Sequence, residues 1–103
     1  MPINWSDPEV ARALDCMVPE HIHDGLKRYF DHGIKPGSFL SAVLENDLAT
    51  ACAQADMTNR YRLFDIVCFL WNHAPGKSWG SPGKVATWIT EYKEARAKQQ
   101  ELV

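Results

Sequence analysis

At four points along this chain a proline or a capping residue stands where an α-helix has to begin, and each time apolar residues follow at helical intervals. Asp7-Pro8-Glu9 supplies an N-cap, a proline at the first helical position and an acidic first turn, ahead of Val10, Ala11, Leu14 and Met17. Pro19-Glu20 opens a second helix with Ile22, Leu26, Tyr29 and Phe30 on one face. Gly33 predicts a left-handed stop, and Ile34 is the apolar residue expected just beyond it. Lys35-Pro36-Gly37-Ser38 turns the chain into a third helix, whose stripe is Leu40, Val43, Leu44, Leu48, Ala51 and Cys52 and which ends near Ala55-Asp56.

A fourth helix is predicted from about Thr58 to Asn72. Tyr61, Leu63, Phe64, Ile66, Val67, Phe69, Leu70 and Trp71 leave it almost no polar face, which predicts a central, buried position. His73 to Gly80 reads as a Pro/Gly-rich loop, after which Ser81-Pro82 restarts a helix with Val85, Trp88, Ile89 and Tyr92 facing inward. Beyond Tyr92 the chain is polar, with Glu94 and Lys98 spaced for an i,i+4 pair, as in a solvated helical tail that frays. Neither strand alternation nor an internal repeat interrupts this pattern. The expected architecture is all-α, a single-domain irregular bundle of four to five helices. Residues 1–17 form a short N-terminal helix, 18–92 the core and 93–103 the polar helical tail.

A chain of 103 residues has room for one hydrophobic core, with a stability margin of roughly 5–10 kcal/mol. Its 46% apolar and 23% charged residues suit a folded globule rather than a disordered segment. Four Trp, four Phe and three Tyr are many for this length, and the surplus admits a homodimer. The net charge of −2 predicts no general attraction to nucleic acid or to anionic membrane. Cys16, Cys52 and Cys68 lack metal or disulfide spacing and read as free, mostly buried thiols of a reducing compartment. The first seven residues do not resemble a secretion signal, and the longest apolar run, Ile66 to Trp71, is too short to span a bilayer.

Candidate chemistry is thin. Gly76 to Lys84 imitates a phosphate-binding loop, but Ser78 stands at the first glycine position, Val85 follows the lysine, and a helix precedes the loop where that motif needs a strand. Cys16, His21 and His23, with His32 or His73, offer zinc donors, yet His21 and His23 lie two apart on a helix and diverge. Neither metal nor cofactor is expected. Cys52 and Cys68 lie on apolar stripes without a neighbouring histidine, so a nucleophile–base pair is not indicated. Asp47 and Asp65 fall on apolar faces, and a carboxylate withdrawn from water must find donors or neutralise. They read either as structural acceptors, with Arg60, Arg62, Trp79 or loop amides as donors, or as a paired acid/base site of a small enzyme. The structural reading is preferred, and the chain is not expected to be an enzyme.

Asn59-Arg60-Tyr61-Arg62 interleaves basic and aromatic residues as single-strand binders do, and with Lys35, Lys77 and Lys84 it defines a nucleic-acid alternative. The preferred surface is the loop His73 to Gly80, with Lys77, Ser78 and Trp79, together with Glu45-Asn46 on the exposed face of the third helix.

Val18-Pro19-Glu20, His32-Gly33-Ile34 with Pro36-Gly37, Phe39-Leu40-x-Ala42-Val43-Leu44-x-Asn46-Asp47-Leu48, Phe64-Asp65-Ile66-Val67 and Trp79-Gly80-Ser81-Pro82 with Trp88-Ile89 resemble a family of small uncharacterised proteins of bacteriophages and prophages. The resemblance covers about residues 18–90, and its most specific pieces are the Ala-Val-Leu-x-Asn-Asp-Leu and Gly-Ser-Pro stretches. It brings no catalytic residues with it. What it implies is a phage-borne accessory protein of the bacterial cytoplasm. By analogy such a protein binds a host protein stoichiometrically, as an anti-CRISPR-like inhibitor of a host defence system does.

Overall fold

The computed structural model describes residues 2–101. The chain is all-α, with no strand among the described residues. Its helices are α1 (Pro8–Met17), α2 (His23–His32), α3 (Ser38–Leu44), α4 (Leu48–Gln54), α5 (Met57–His73) and α6 (Pro82–Glu101), with one 3₁₀ turn at Glu20–Ile22 before α2. Six helices therefore replace the four to five expected. No helix in this span is long and apolar enough to cross a membrane.

The extra helix arises where the third predicted helix breaks. Asn46 takes φ 63°, a left-handed conformation that asparagine tolerates better than most residues. Asp47 then accepts the Thr50 N–H at 3.1 Å and so caps a new helix, α4. Asp7 and Ser81 open α1 and α6 as their punctuation predicts, whereas Pro19-Glu20 opens only the 3₁₀ turn ahead of α2, and Asp56, expected near the end of the third helix, caps α5. Asp7 accepts the Glu9 N–H at 2.9 Å, Asp56 accepts the Asn59 N–H at 2.7 Å, and Ser81 Oγ accepts the Lys84 N–H at 3.2 Å.

Leu26, Tyr29, Phe30, Leu44, Ile66, Phe69 and Leu70 make the centre of one core, closed by Val85 and Trp88 of α6. Residues ahead of α1 belong to it as well. Ile3 is buried, and the Trp5 ring lies parallel to Phe69 with centroids 6.3 Å apart. The Trp5 indole N–H donates to both Asp31 carboxylate oxygens, at 3.0 and 3.1 Å.

α2 and α6 are joined by a ladder that serves a known weakness of helix ends. The last carbonyls of a helix have no partner within it. Trp88, Tyr92 and Arg96, four residues apart along α6, donate to the carbonyls of Tyr29 (2.9 Å), Phe30 (2.9 Å) and His32 (2.5 Å). Gly33, at φ 64°, ends α2 as the sequence predicts, and a Cβ there would lie 2.5 Å from that of Tyr92. The polar tail is thus anchored at least as far as Arg96. Residues 93–100 are otherwise exposed, and the expectation for Leu102 and Val103 lies outside the described residues.

Three further expectations are corrected. Cys16 and Cys52 are exposed and Cys68 is half-buried; the break at Asn46 re-aims α4, so that Ala51 stays in the core while Leu48 and Cys52 turn to solvent. Asp47 is exposed, since as the N-cap of α4 it stands at the break rather than on a helix face. The helix predicted to be central, α5, buries only one side.

Candidate protein-interaction face

α5 has two apolar faces, and the core uses one. At about 100° per residue, Asn59, Ile66, Phe69 and Leu70 gather on the side that meets α1 and the core. Met57, Tyr61, Phe64, Val67 and Trp71 fall within an arc of about 120° on the opposite side. Their exposures are 66, 77, 78, 37 and 78%. A run of such residues along a helix of a small protein is unusual on a surface that water alone covers. The sequence pattern places Tyr61, Phe64, Val67 and Trp71 in the interior, and Met57 lies just outside the helix it predicts. The signal that distinguishes the two faces is position: the exposed set repeats at intervals of 4, 3, 3 and 4 residues, a helical stripe in its own right.

At its C-terminal end the stripe runs into a groove of about 530 Å³ lined by Val67, Trp71, Trp79, Asn46 and Lys84. The loop after α5 forms the far wall. It is held in place by the Gly80 N–H donating to the Leu44 carbonyl at 2.7 Å and by the Tyr29 hydroxyl donating to the Ser78 carbonyl at 2.5 Å. Lys84 Nζ reaches the Gly76 carbonyl at 3.1 Å along the rim.

The preferred sequence residues are thus partly brought together. Trp79, half-buried, and Asn46, exposed, share the groove. Ser78 is fully buried and its hydroxyl is spent on the Pro75 carbonyl at 2.6 Å, which corrects its assignment as a contact residue. Lys77 is exposed with its ammonium 5.8 Å from the Trp88 ring. Glu45 is half-buried at the α3–α4 break, and its charge helps to raise the Tyr29 ionisation.

The cations of the nucleic-acid alternative do not converge. Arg62 donates to Asp65 at 2.9 Å and to the Cys16 carbonyl at the end of α1, so it is a structural residue with its charge balanced. Arg60 is exposed and stands within the arc of the apolar stripe, between Val67 and Trp71 in angle. Lys84 sits in the groove with Trp71, about 16 Å further along α5 at 1.5 Å per residue. Lys35 lines a cleft on another side, with His21, Arg28, Asp56 and Asn59.

Asp47 and Asp65 are likewise separate. Asp47 is held by Thr50, whose side chain and N–H lower its ionisation below the ordinary carboxylate value. Asp65, on α5, faces Arg62. Among the described residues no three His, Cys, Asp or Glu side chains gather as metal ligands. His21 contacts Asp56 at 2.9 Å and His23 contacts the Val18 carbonyl at 2.6 Å, which are local structural roles.

Comparison with protein-family models, with curated proteins and with solved structures finds no match to this chain.

Proposed function

We propose that this protein is a stoichiometric protein-binding module that acts through the outer face of α5 and the adjoining Trp71–Trp79 groove. The observation that carries the reading is the exposure of Tyr61, Phe64 and Trp71 along one stripe. Aromatic side chains are the most frequent bearers of interface energy, and here three stand on a rigid helix instead of a loop. The groove beside Trp71 adds a concave pocket with one cation, Lys84, at its edge. A partner helix with apolar residues at i, i+3 or i+4 and i+7 fits such a face.

Together with the phage-like sequence pattern, this supports an accessory protein that occupies a surface of a bacterial host protein in the cytoplasm, as an inhibitor of a defence system does. Occlusion of this kind requires no reaction at the binding face.

Affinity capture from the bacterial host tests the proposal when wild type is compared with Phe64→Asp and Trp71→Ala. The expected result is one host protein recovered at an equimolar ratio by wild type and lost from both variants. Its retention is expected to change little between low and high salt, because the contact is apolar. Recovery of nucleic acid with a steep salt dependence would move the function to the basic residues. Equal capture by wild type and both variants would remove α5 from it.

A further inference from the structure

We infer that in the free protein the outer face of α5 is covered by α5 of a second copy, antiparallel across a two-fold axis at Phe64. This rests on reading that face as an interaction surface and names its occupant before any target is met; engaging a target would exchange one partner for the other.

The pattern of the stripe is the first argument. A two-fold contact is self-complementary: a residue n places before the axis meets the one n places after it. The exposed apolar residues of α5 are spaced 4, 3, 3, 4, so the series reads the same from either end with Phe64 at its centre. Met57 then packs on Trp71 of the second copy, a flexible thioether against a ring. Tyr61 lies across from the smaller Val67 and Cys68, and Phe64 meets its own counterpart. Away from the axis, large side chains thereby face small or pliable ones.

The second argument is charge. A parallel pairing would set Arg60 beside Arg60 and align the two helix dipoles. The antiparallel pairing places Arg60 beside Val67 and Cys68 and opposes the dipoles. Asp65 comes near its counterpart at the edge of the seam, but Arg62 balances it within each copy at 2.9 Å.

The third argument is area. Counting ~200 Å² for each aromatic side chain, the exposed parts of Tyr61, Phe64 and Trp71 offer roughly 450 Å² per copy. Met57 and Val67 raise the total to about 600 Å². Two copies then bury about 1,200 Å², the lower edge of specific interfaces. A dimer of that size is reversible, which suits a face that must later accept a target.

Sedimentation of the full chain over a concentration series tests the inference. Wild type is expected to pass from 11.7 kDa to twice that mass as concentration rises. Phe64→Asp is expected to remain at the single mass with unchanged helical circular dichroism. With Cys16, Cys52 and Cys68 replaced by serine, Phe64→Cys is expected to form a disulfide dimer on oxidation. Met57→Cys is expected not to, since its counterpart lies about 21 Å away along the axis. Self-cross-linking of Met57→Cys, or a dimer that persists in Phe64→Asp, would overturn the arrangement. Should Phe64→Asp fail to fold, the two cysteine variants decide. A single species at all concentrations would also overturn it. In that case loss of a host target from Phe64→Asp would leave α5 as the binding face, whereas unchanged target capture would dismiss both readings.

Discussion

The Tyr29 hydroxyl donates to the Ser78 carbonyl at 2.5 Å, joining the last turn of α2 to the loop that walls the Trp71–Trp79 groove. Both residues are fully buried, so neither group has water as an alternative partner. Tyr29→Phe keeps the ring and strands the carbonyl. A buried acceptor left unpaired costs about 1–3 kcal/mol, and urea titration followed by circular dichroism is expected to register a loss in that range. Because the carbonyl belongs to the groove wall, the same variant is expected to weaken target capture more than its stability alone accounts for.

The same phenol gives a sign to the alkaline limb. Burial, and next the charge of Glu45, push the Tyr29 ionisation well above its ordinary value. The folded protein therefore holds a proton that the unfolded chain releases near pH 10. Stability is expected to be level below about pH 10 and to fall above it. In Tyr29→Phe that slope is shallower, with a residue left by Tyr92, raised by burial and by Asp31. Thermal midpoints between pH 8 and about 11.5 measure it; identical slopes in the two proteins would refute the assignment.

The acid limb has the opposite sign. Hydrogen bonding from the Asn59 N–H chiefly, with help from His21, holds the Asp56 carboxyl below its ordinary value. Its contribution is present above the unfolded carboxylate range, near pH 4, and disappears as the pH falls through the lower folded value. Asp56→Ala is expected to melt lower than wild type at pH 7 and to converge with it in strong acid, read by melting curves from pH 2 to 7. A constant gap across that range would mean that the carboxylate charge is immaterial.

Much of this fold is legible because local chemistry at its helix ends agrees with the tertiary structure. Asp7-Pro8, Gly33 and Ser81-Pro82 do in the structure what their side chains and backbone preferences dictate in isolation. The break at Asn46-Asp47 is hidden because the apolar stripe from Leu40 to Cys52 runs through it at an unbroken helical period. The α5 face failed for a different reason. Hydrophobicity says that Tyr61, Phe64 and Trp71 favour leaving water, and it is silent on whether the chain or another molecule removes them. No periodic pattern surrounds Trp5, and its role depends on Phe69 and Asp31, far off in sequence.

Gly33 provides a test of close approach between α2 and α6. An alanine there would need φ near 64° and would set its Cβ 2.5 Å from the Tyr92 Cβ, an atom fixed to the helix backbone. The two helices must separate, which strains the Tyr92–Phe30 and Trp88–Tyr29 bonds. Gly33→Ala is expected to cost at least about 1–3 kcal/mol from the backbone and the overpacking together. Gly37, with open space around the corresponding position, is its control: Gly37→Ala is expected within about 0.5 kcal/mol of wild type in the same denaturation experiment.

Two phenylalanines five residues apart on α5 separate what the helix does for the fold from the binding proposed for its outer face. Phe69 is fully buried against Trp5 and His73, whereas Phe64 is 78% exposed on the outer stripe. Phe69→Ala opens a cavity in the core and is expected to cost about 3–5 kcal/mol, a large part of what a chain this size possesses. Phe64→Asp leaves the core of a single copy untouched, so at high dilution its midpoint is expected within about 0.5 kcal/mol of wild type. The two proteins should part as concentration rises: association stabilises whatever state it binds, so the wild-type midpoint climbs while that of Phe64→Asp stays level. Melting curves over a hundredfold range of concentration make the comparison. If Phe64→Asp is as destabilising as Phe69→Ala at high dilution, α5 is buried on both sides within a single chain and its outer face is not available to any partner.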